Sequence, residues 1–530
     1  MRFHGVNTQS FASYYDLPVV AETLYLEALR AHLTGRTDSA VELLDRALAK
    51  APDAVVRARI QHLRGMIGIW AQAPLRIHEL LCTEAATVEA LDPGLATAML
   101  ATAAQAAVMA GEAEMASETS ARALAIATDT ENASRASAQA FDLVLARTAV
   151  EREQAIRQAL ANPRGHDAPG AFDTLHHNAA VLYWLEDYPN AERLLQFVID
   201  QARVQHHPIL PVALDTLGAL SFRTGRWSVA DARSAEALRL ARELGQHWVS
   251  ASCLTTLARV AAARGREQEC RDHLREAGKI LDPSDLTAAY AASVAALLEL
   301  GLGRPETAIA ELEPLRSAEA SRLPWAPMVV PWIPDLIEAL VRTHSLDDAA
   351  ETLQSFQQRA IDSRRAWALA GAARCSGLLA GPNEFEHHFT EALRYHALTP
   401  TPFERARTEL CFGERLRRSR RHQEAATTLR SALGTFERLG AVAWAERARR
   451  ELAGKRTPAK NTGTITQLLT PHELQVASLI ERGATNRQVA NILSVTPRTI
   501  DYHLTNIYRK LDIHTRTELA YRLSHEPARN

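Results

Sequence analysis

The chain has 530 residues, of which 47% are hydrophobic and 23% are charged. This length exceeds what one hydrophobic core supports, so we expect several domains or a repeat array. The formal net charge of −2 argues at first against nucleic-acid binding, but residues 401–530 carry 23 basic and 13 acidic side chains, whereas residues 1–400 carry 37 and 49. An acidic body with a basic end is typical of a protein that carries a nucleic-acid-binding module.

The sequence favours neither a secreted nor a membrane protein. Its first residues lack the apolar stretch of a secretory signal. The uncharged run 93–111 is long enough to span a membrane, but it is mostly Ala and Thr with Gln105 inside, so we predict a buried helix. The cysteines form no C-x-x-C pair, which favours a reducing, cytoplasmic location over a disulfide framework or a zinc ribbon. They are Cys82, Cys253, Cys270, Cys375 and Cys411.

A small residue recurs along the chain at intervals of about 39 residues or twice that distance, as a repeat architecture requires. In five of these units a Gly stands five residues earlier, and an apolar residue usually follows seven residues later. The small residues are Ala40, Ala116, Ala191, Ala230, Cys270, Ala308, Ala349 and Ala425.

Each unit fits two helices joined by a tight turn. The Gly can take the left-handed conformation that ends the first helix, and the small residue lets the second helix pack closely. The units resemble tetratricopeptide repeats, although they are longer, and about eleven would fit between residues 17 and 452. We therefore predict an all-α, tetratricopeptide-like helical-repeat solenoid whose concave surface binds a peptide, a protein or a small ligand.

Two stretches interrupt the repeats. Four prolines predict that residues 323–334 are non-helical, with Trp325 and Trp332 either flooring a ligand pocket or serving a structural role. Residues 455–467 are polar and lack an apolar period, so they are the best linker candidate. The predicted organisation is a repeat region at 1–453, a linker at 454–463 and a terminal module at 464–530.

After the linker, signals for helix starts become dense. Thr470–Glu473 and Thr485–Gln488 are capping boxes, Thr496-Pro497 can begin a third helix that continues to Leu511, and Thr515–Glu518 can begin a fourth. We expect the first helix to run to Arg482 and the second to end at Leu493. A tight turn between the second and third helices makes this small four-helix module a helix-turn-helix.

Helical spacing separates an inward face of the module from an outward face. The outward positions of the third helix are Arg498, Asp501, Tyr502, Thr505 and Arg509, which can reach base edges and phosphates. The inward positions are Leu474, Val476, Ala477 and Ile480 on the first helix, Val489, Ile492 and Leu493 on the second, and Ile500, His503, Leu504, Ile507 and Leu511 on the third.

The runs Leu469-Thr470-Pro471-x-Glu473, Gly483-x-Thr485-Asn486-Arg487-Gln488-Val489-Ala490 and Thr496-Pro497-Arg498-Thr499-Ile500-x-x-His503-x-x-x-Ile507-x-x-Lys510-Leu511 resemble the LuxR-type helix-turn-helix of bacterial transcription regulators. The resemblance covers residues 464–525. Asp512 departs from it, since the family usually has Gly there, but Asp tolerates the left-handed conformation.

The resemblance implies a set of DNA-binding residues. Arg498 and Thr499 would contact phosphates, while Asp501, Tyr502 and Thr505 would read bases. Asp501 could instead orient Arg498. The predicted DNA-binding set is Arg498, Thr499, Asp501, Tyr502, Thr505, Arg509, Lys510 and Asn486.

The preceding segment is similar to the end of the repeat region in the large ATP-binding regulators of the LuxR family. The matching runs are 401–407, 416–418, 439–441 and 444–448. Those regulators carry an ATPase domain, but this sequence contains no G-x-x-x-x-G-K-[ST] phosphate loop. The resemblance is therefore to that family without its ATPase domain, and we expect no cofactor.

Other chemistry is weakly supported. Neighbouring histidines such as His387 and His388 diverge around a helix, so we expect no metal site. No G-x-S-x-G elbow or recognisable carboxylate pair occurs, so we expect no enzyme. The basic stretch 415–421 could touch DNA, or it could be solvated or paired between helices.

We therefore expect a cytoplasmic, nucleoid-associated bacterial transcription regulator, acting as an activator with RNA polymerase. By resemblance, it would bind double-stranded DNA at an inverted-repeat operator as a homodimer through Arg516–Leu523. The solenoid is a second candidate dimer contact, and no membrane partner is expected. The solenoid would sense a small-molecule, peptide or protein effector. The alternative is a protein-interaction scaffold that its terminal module tethers to DNA.

Overall fold

The computed structural model describes residues 19–33, 36–69, 74–110, 112–126, 171–281, 286–319, 330–453, 469–493 and 495–511, together with residues 513, 515, 516, 518, 519 and 523. The chain divides into two compact units, residues 1–448 and 449–530.

The first unit is an all-α repeat solenoid, which confirms the predicted fold class. Its described helices form ten pairs, followed by a single helix that continues past residue 448; residues 127–170, where a further unit was predicted, lie outside the described ranges. The helices are α1 (Val19–Leu33), α2 (Thr37–Leu48), α3 (Ala54–Gly68), α4 (Pro74–Val88), α5 (Pro93–Met109), α6 (Ala113–Ile126), α7 (Ala171–Trp184), α8 (Tyr188–Gln205), α9 (Leu210–Arg223), α10 (Trp227–Glu243), α11 (His247–Arg264), α12 (Glu267–Ala277), α13 (Leu286–Leu302), α14 (Pro305–Glu319), α15 (Ile333–Arg342), α16 (Leu346–Ser363), α17 (Ala366–Leu379), α18 (Phe385–His396), α19 (Pro402–Arg418), α20 (His422–Leu439) and α21 (Val442–Ala453).

The repeated small residues lie near the start of the second helix of their pairs, and each of them is at most 2% exposed. A larger side chain would hold the two helices of a pair apart, which explains the recurrence of Ala. The repeat pattern is therefore a packing pattern.

The turns inside the pairs share one backbone conformation. Gly225, Gly265 and Gly303 have φ angles of 80°, 77° and 81°. In units without Gly, the equivalent positions hold Glu186 and His344, with φ angles of 66° and 64°. The left-handed conformation is therefore imposed by the helix pair even on residues that pay a steric penalty of roughly 1–2 kcal/mol for it.

The solenoid closes on itself. The amide N of Trp367 in α17 donates to Glu186 Oε1 at 3.0 Å, and Arg365 donates to the carbonyl of Leu185 at 2.8 Å. The ring centroids of Trp227 and Phe403 lie 5.3 Å apart. Helices that are about 180 residues apart in sequence thus pack together, so the predicted concave surface is not an open groove along its whole length.

A buried charge network lies among α15, α19 and α21. Glu338, which is 1% exposed, accepts from Arg407 at 2.9 Å and from Arg447 at 2.7 Å. Arg407 also contacts Asp335 at 2.6 Å, and Arg447 contacts Glu414 at 2.7 Å. Carboxylates from the acidic part of the chain therefore neutralise arginines of the basic segment after residue 400.

The basic stretch 415–421 is also partly paired within the solenoid. Arg421 contacts Glu386 at 2.6 Å, and Arg415 donates to the carbonyl of Ala380 while its guanidinium lies 5.2 Å from the ring centroid of Phe385. These contacts favour interhelical pairing for Arg415 and Arg421.

Two further predictions concern the uncharged run 93–111 and the proline-rich stretch 323–334. Residues 93–109 of the uncharged run form the buried helix α5, as predicted, and no described helix is both long and apolar enough to span a bilayer. The prediction that residues 323–334 are non-helical is wrong at its end, because α15 begins at Ile333 and Pro334 occupies its first turn, where proline is tolerated. Trp332 is buried, and Trp325 lies outside the described residues.

We expect the solenoid to lose stability as the pH falls from about 6.5 to 4. Burial lowers the pKa of His62 and of His176 to about 4; their Nε2 atoms lie 3.2 Å from Thr102 Oγ1 and 2.9 Å from Thr216 Oγ1. Below pH 6.5 the unfolded chain takes up protons that the folded chain does not, so folding becomes less favourable. Urea unfolding midpoints measured from pH 7.5 to 4.5 test this. The variant His176→Gln should reduce the slope of the midpoint against pH. An unchanged slope in that variant would contradict the assignment.

Candidate nucleic-acid interface

The second unit contains three described helices with well-formed starts. They are α22 (Pro471–Glu481), α23 (Asn486–Ile492) and α24 (Pro497–Leu511). The first two end one residue earlier than the sequence predicts.

Both predicted capping boxes are present. The amide of Thr470 donates to Glu473 Oε2 at 2.8 Å, and the amide of Glu473 donates to Thr470 Oγ1 at 3.3 Å. Thr485 and Gln488 repeat the arrangement with distances of 2.8 and 3.3 Å. Each box satisfies two backbone N–H groups that a helix start leaves without partners, so these residues fix where the helices begin.

The turn before α24 is closed by a threonine pair. The amide of Thr499 donates to Thr496 Oγ1 at 3.2 Å, and the two hydroxyls lie 2.8 Å apart. Thr496 thereby caps α24, as predicted. Thr499, a predicted phosphate contact, lies in the first turn of that helix.

A small hydrophobic core holds the helices together. Val476, Val489, Ile500 and Ile507 have no exposed surface. The other buried members are Leu469, Ala477, Ile480, Ala490, Leu504, Leu511, Ile513 and Leu519.

One inward assignment is wrong. Ile492 is 60% exposed, because α23 ends at this residue and Ala490, not Ile492, completes the buried face. Leu474, Leu493 and His503 are only partly buried. A seven-residue helix is too short for spacing alone to define its faces.

The chain after α24 also packs onto the module. The amide of Glu518 donates to Thr515 Oγ1 at 3.1 Å, residues 516, 518, 519 and 523 are helical, and Leu519 is completely buried. Thr515 therefore caps a fourth helical segment, as predicted. Leu519 belongs to the core of the module.

Polar contacts tie α23, α24 and this fourth segment together. The side-chain amide of Asn486 donates to Asp501 Oδ1 at 2.8 Å, and Arg516 Nη1 donates to Asn486 Oδ1 at 2.9 Å. Arg516 also donates to the carbonyl of Ala484. Sequence reasoning missed this network, because no local pattern pairs residues 15 and 30 positions apart.

The network gives Asn486 and Asp501 intramolecular partners. Asp501 is exposed at the outer end of the network. The side chains of Arg498, Tyr502, Thr505, Arg509 and Lys510 lie outside what the structure describes.

The backbone nevertheless places the predicted contact positions together. Because α24 is helical from residue 497 to 511, positions 498, 501, 502, 505 and 509 fall within an arc of about 100°. The buried positions 500, 504, 507 and 511 lie on the opposite side. Such a helix can present one polar face to a groove in DNA.

One group of possible metal ligands occurs among the described residues. His387, His388 and Glu391 in α18 bring ligand atoms within 4.8 Å of one another, closer than expected for adjacent histidines. Glu391 also pairs with Arg394 at 3.8 Å, and His387 is exposed. The group is therefore a surface cluster without a buried ligand set.

Comparison with known proteins identifies the terminal module. Residues 467–523 match the family of bacterial regulatory proteins, luxR family, and these residues are a LuxR-family helix-turn-helix domain. A Mycobacterium tuberculosis protein named as an HTH-type transcriptional regulator is 36% identical over 110 residues, which cover 18% of this chain and 12% of that protein. The transcriptional regulatory protein ComA of Bacillus subtilis is 38% identical over 64 residues, covering 12% of this chain and 30% of ComA. The chain thus spans less than a third of these relatives.

The solenoid has a structural relative. The crystal structure of a Rap protein complexed with Competence and Sporulation Factor aligns with a TM-score of 0.50 at 12% identity, covering 66% of this chain and 99% of the Rap protein. The likeness supports the repeat fold.

Proposed function

We propose that this chain is a sequence-specific DNA-binding transcription regulator in which α24 enters the major groove. The observation that carries the proposal is the module itself: two capping boxes and a capped α24 that turns its apolar side into a closed core. Matched relatives are named as transcriptional regulators. In this arrangement the outward positions of α24 read bases, and its first turn contacts phosphates.

The module carries few charges for a DNA-binding domain. Residues 464–530 hold 8 basic and 6 acidic side chains, so one copy makes few phosphate contacts and two copies are needed for strong binding. We propose a homodimer on an inverted repeat, acting as an activator with RNA polymerase. Arg516 and Leu519 are engaged within their own module, so a dimer contact through Arg516–Leu523 uses the other residues of that segment.

We further propose that the solenoid binds an effector that changes DNA binding. The rival is a scaffold whose repeats gather protein partners while the module only places the assembly on DNA. Operator affinity that changes on addition of a small ligand supports the regulator. A response to protein partners alone supports the scaffold.

Selection of bound sites from a random DNA pool with the full chain tests the function. We expect enrichment of an inverted repeat with half-sites about 10 base pairs apart. A pool that shows no enriched sequence after repeated selection would reject sequence-specific binding.

We expect Tyr502→Ala and Thr505→Ala to alter sequence preference, and Arg498→Ala to weaken binding on every sequence. A base contact favours the correct base over a wrong one by about 1–3 kcal/mol. Loss of a phosphate contact lowers by about one the slope of the logarithm of the binding constant against the logarithm of the salt concentration. Binding titrations at several salt concentrations, on the selected site and on single-base variants, measure both. Unchanged preference in Tyr502→Ala would show that this position is not a base reader.

A further inference from the structure

A buried arginine without a carboxylate partner lies inside the solenoid. Arg259, in α11, is 7% exposed. Among the residues that the structure describes, no carboxylate oxygen comes within 4.0 Å of its guanidinium. A buried cation without a counter-charge is costly, because desolvation is not offset by an ion pair.

Aromatic rings fix the orientation of this guanidinium. Its central carbon lies 4.6 Å from the ring centroid of Phe222 and 5.1 Å from that of Tyr290, and Nη1 donates to the Tyr290 hydroxyl. Within the described parts of the chain, Nε and Nη2 have no hydrogen-bond partner. These two nitrogens carry the parallel N–H groups that match the two oxygens of a carboxylate.

Other buried arginines of the solenoid have carboxylate partners. Arg407, Arg447 and Arg374 each contact a carboxylate, at 2.6, 2.7 and 2.9 Å. At Arg259, burial and then repulsion from the nearby charge of Arg223 lower the pKa to about 10, and the more distant Glu404 and Asp335 offset these effects only in part. Arg259 therefore differs from the arginines that stabilise the fold.

We propose that the interior of the solenoid contains a site for a small organic carboxylate, which binds bidentately to Nε and Nη2 of Arg259. The aromatic rings of Phe222 and Tyr290 hold the guanidinium plane, and Arg223 adds a second positive charge nearby. Arg223 itself lies 5.7 Å from the ring centroid of Trp367 in α17, so the site borders the contact that closes the solenoid. This assignment rests on the effector-sensing role proposed above and names the chemical class of the effector.

A second group of arginines is less suited to bind an anion. A cleft of about 490 Å³ is lined by Arg226, Arg264 and other residues of the turns after α9, α11 and α20. Arg226 pairs with Glu192 at 2.6 Å, and Arg264 pairs with Asp231. Because carboxylates of the protein already neutralise the charge of Arg226 and Arg264, an added carboxylate ligand binds more weakly there than at Arg259.

Thermal unfolding of the full chain tests the site without DNA. Sodium acetate, sodium benzoate and sodium phosphate are each compared with sodium chloride at equal ionic strength. We expect acetate or benzoate to raise the midpoint of the wild-type protein by about 2 °C or more, and Arg259→Met to abolish the shift. Arg239→Met is the matched control, because Arg239 in α10 has a side chain that is 61% exposed.

Variants at Arg259 separate binding from folding. Without ligand, Arg259→Met should unfold at or above the wild-type midpoint, since it removes an unpaired buried charge. Arg259→Lys keeps the charge but not the paired N–H groups, so it should bind the carboxylate at least tenfold more weakly. If Arg259→Met does not fold, Arg259→Lys decides the question.

Three results would overturn the site. They are an unchanged unfolding midpoint with both acetate and benzoate, a midpoint shift in Arg259→Met and Arg259→Lys as large as in the wild type, and a midpoint shift with phosphate alone. Operator binding is measured separately. A carboxylate shift without sequence-specific DNA binding rejects the regulator and keeps the site, whereas DNA binding without any carboxylate shift keeps the regulator and rejects the site.

Discussion

Replacing Glu338 with Ala is expected to lower the free energy of unfolding of the solenoid by about 3–5 kcal/mol, because it leaves Arg407 and Arg447 buried with fewer counter-charges. Glu338 is 1% exposed and touches both guanidiniums. Burial by itself would raise the pKa of Glu338, but the charges of Arg447 and Arg407 outweigh burial and hold that pKa well below its usual range. The carboxylate is therefore ionised at neutral pH.

Urea denaturation of the full chain, followed by circular dichroism, measures this effect. Glu351→Ala is the control: Glu351 lies on the next helix, α16, and is exposed, so its loss should change stability by less than about 0.5 kcal/mol. Equal losses in the two variants would show that the network does not stabilise the solenoid.

Replacing Ile507 with Ala is expected to unfold most copies of the terminal module and to abolish DNA binding. Ile507 has no exposed surface, and truncating such a side chain costs about 2–5 kcal/mol. Small cores supply little more than this in total. The recognition helix would then lose the core that holds it.

The same module offers a matched control. Ile492→Ala makes the same chemical change at a side chain that is 60% exposed, so stability and operator affinity should stay near wild type. Affinity for the selected operator and the heteronuclear NMR spectrum of the module measure both properties. Full affinity in Ile507→Ala, or a comparable loss in Ile492→Ala, would contradict the placement of these residues.

The sequence by itself determined features that depend on neighbours a few residues apart. Thr470 with Glu473, and Thr485 with Gln488, form the predicted caps because a capping box joins positions only three residues apart. The small residues predicted the helix pairs because a Gly five residues earlier and an apolar residue seven residues later mark one local turn and the helix that follows it. The buried face of α24 followed from its 15-residue length, which is enough for helical spacing to define a face.

Only the tertiary structure decided which distant residues meet. The contact of Glu186 with Trp367 closes the solenoid across 181 residues, and Glu338 neutralises Arg447 across 109. Local spacing carries no record of such pairs, so the sequence could show an excess of basic residues after position 400 but not their partners. It also could not distinguish Arg447 from Arg259, because only the packing of distant helices buries both side chains and brings carboxylates against Arg447 but, among the described residues, none into contact with Arg259.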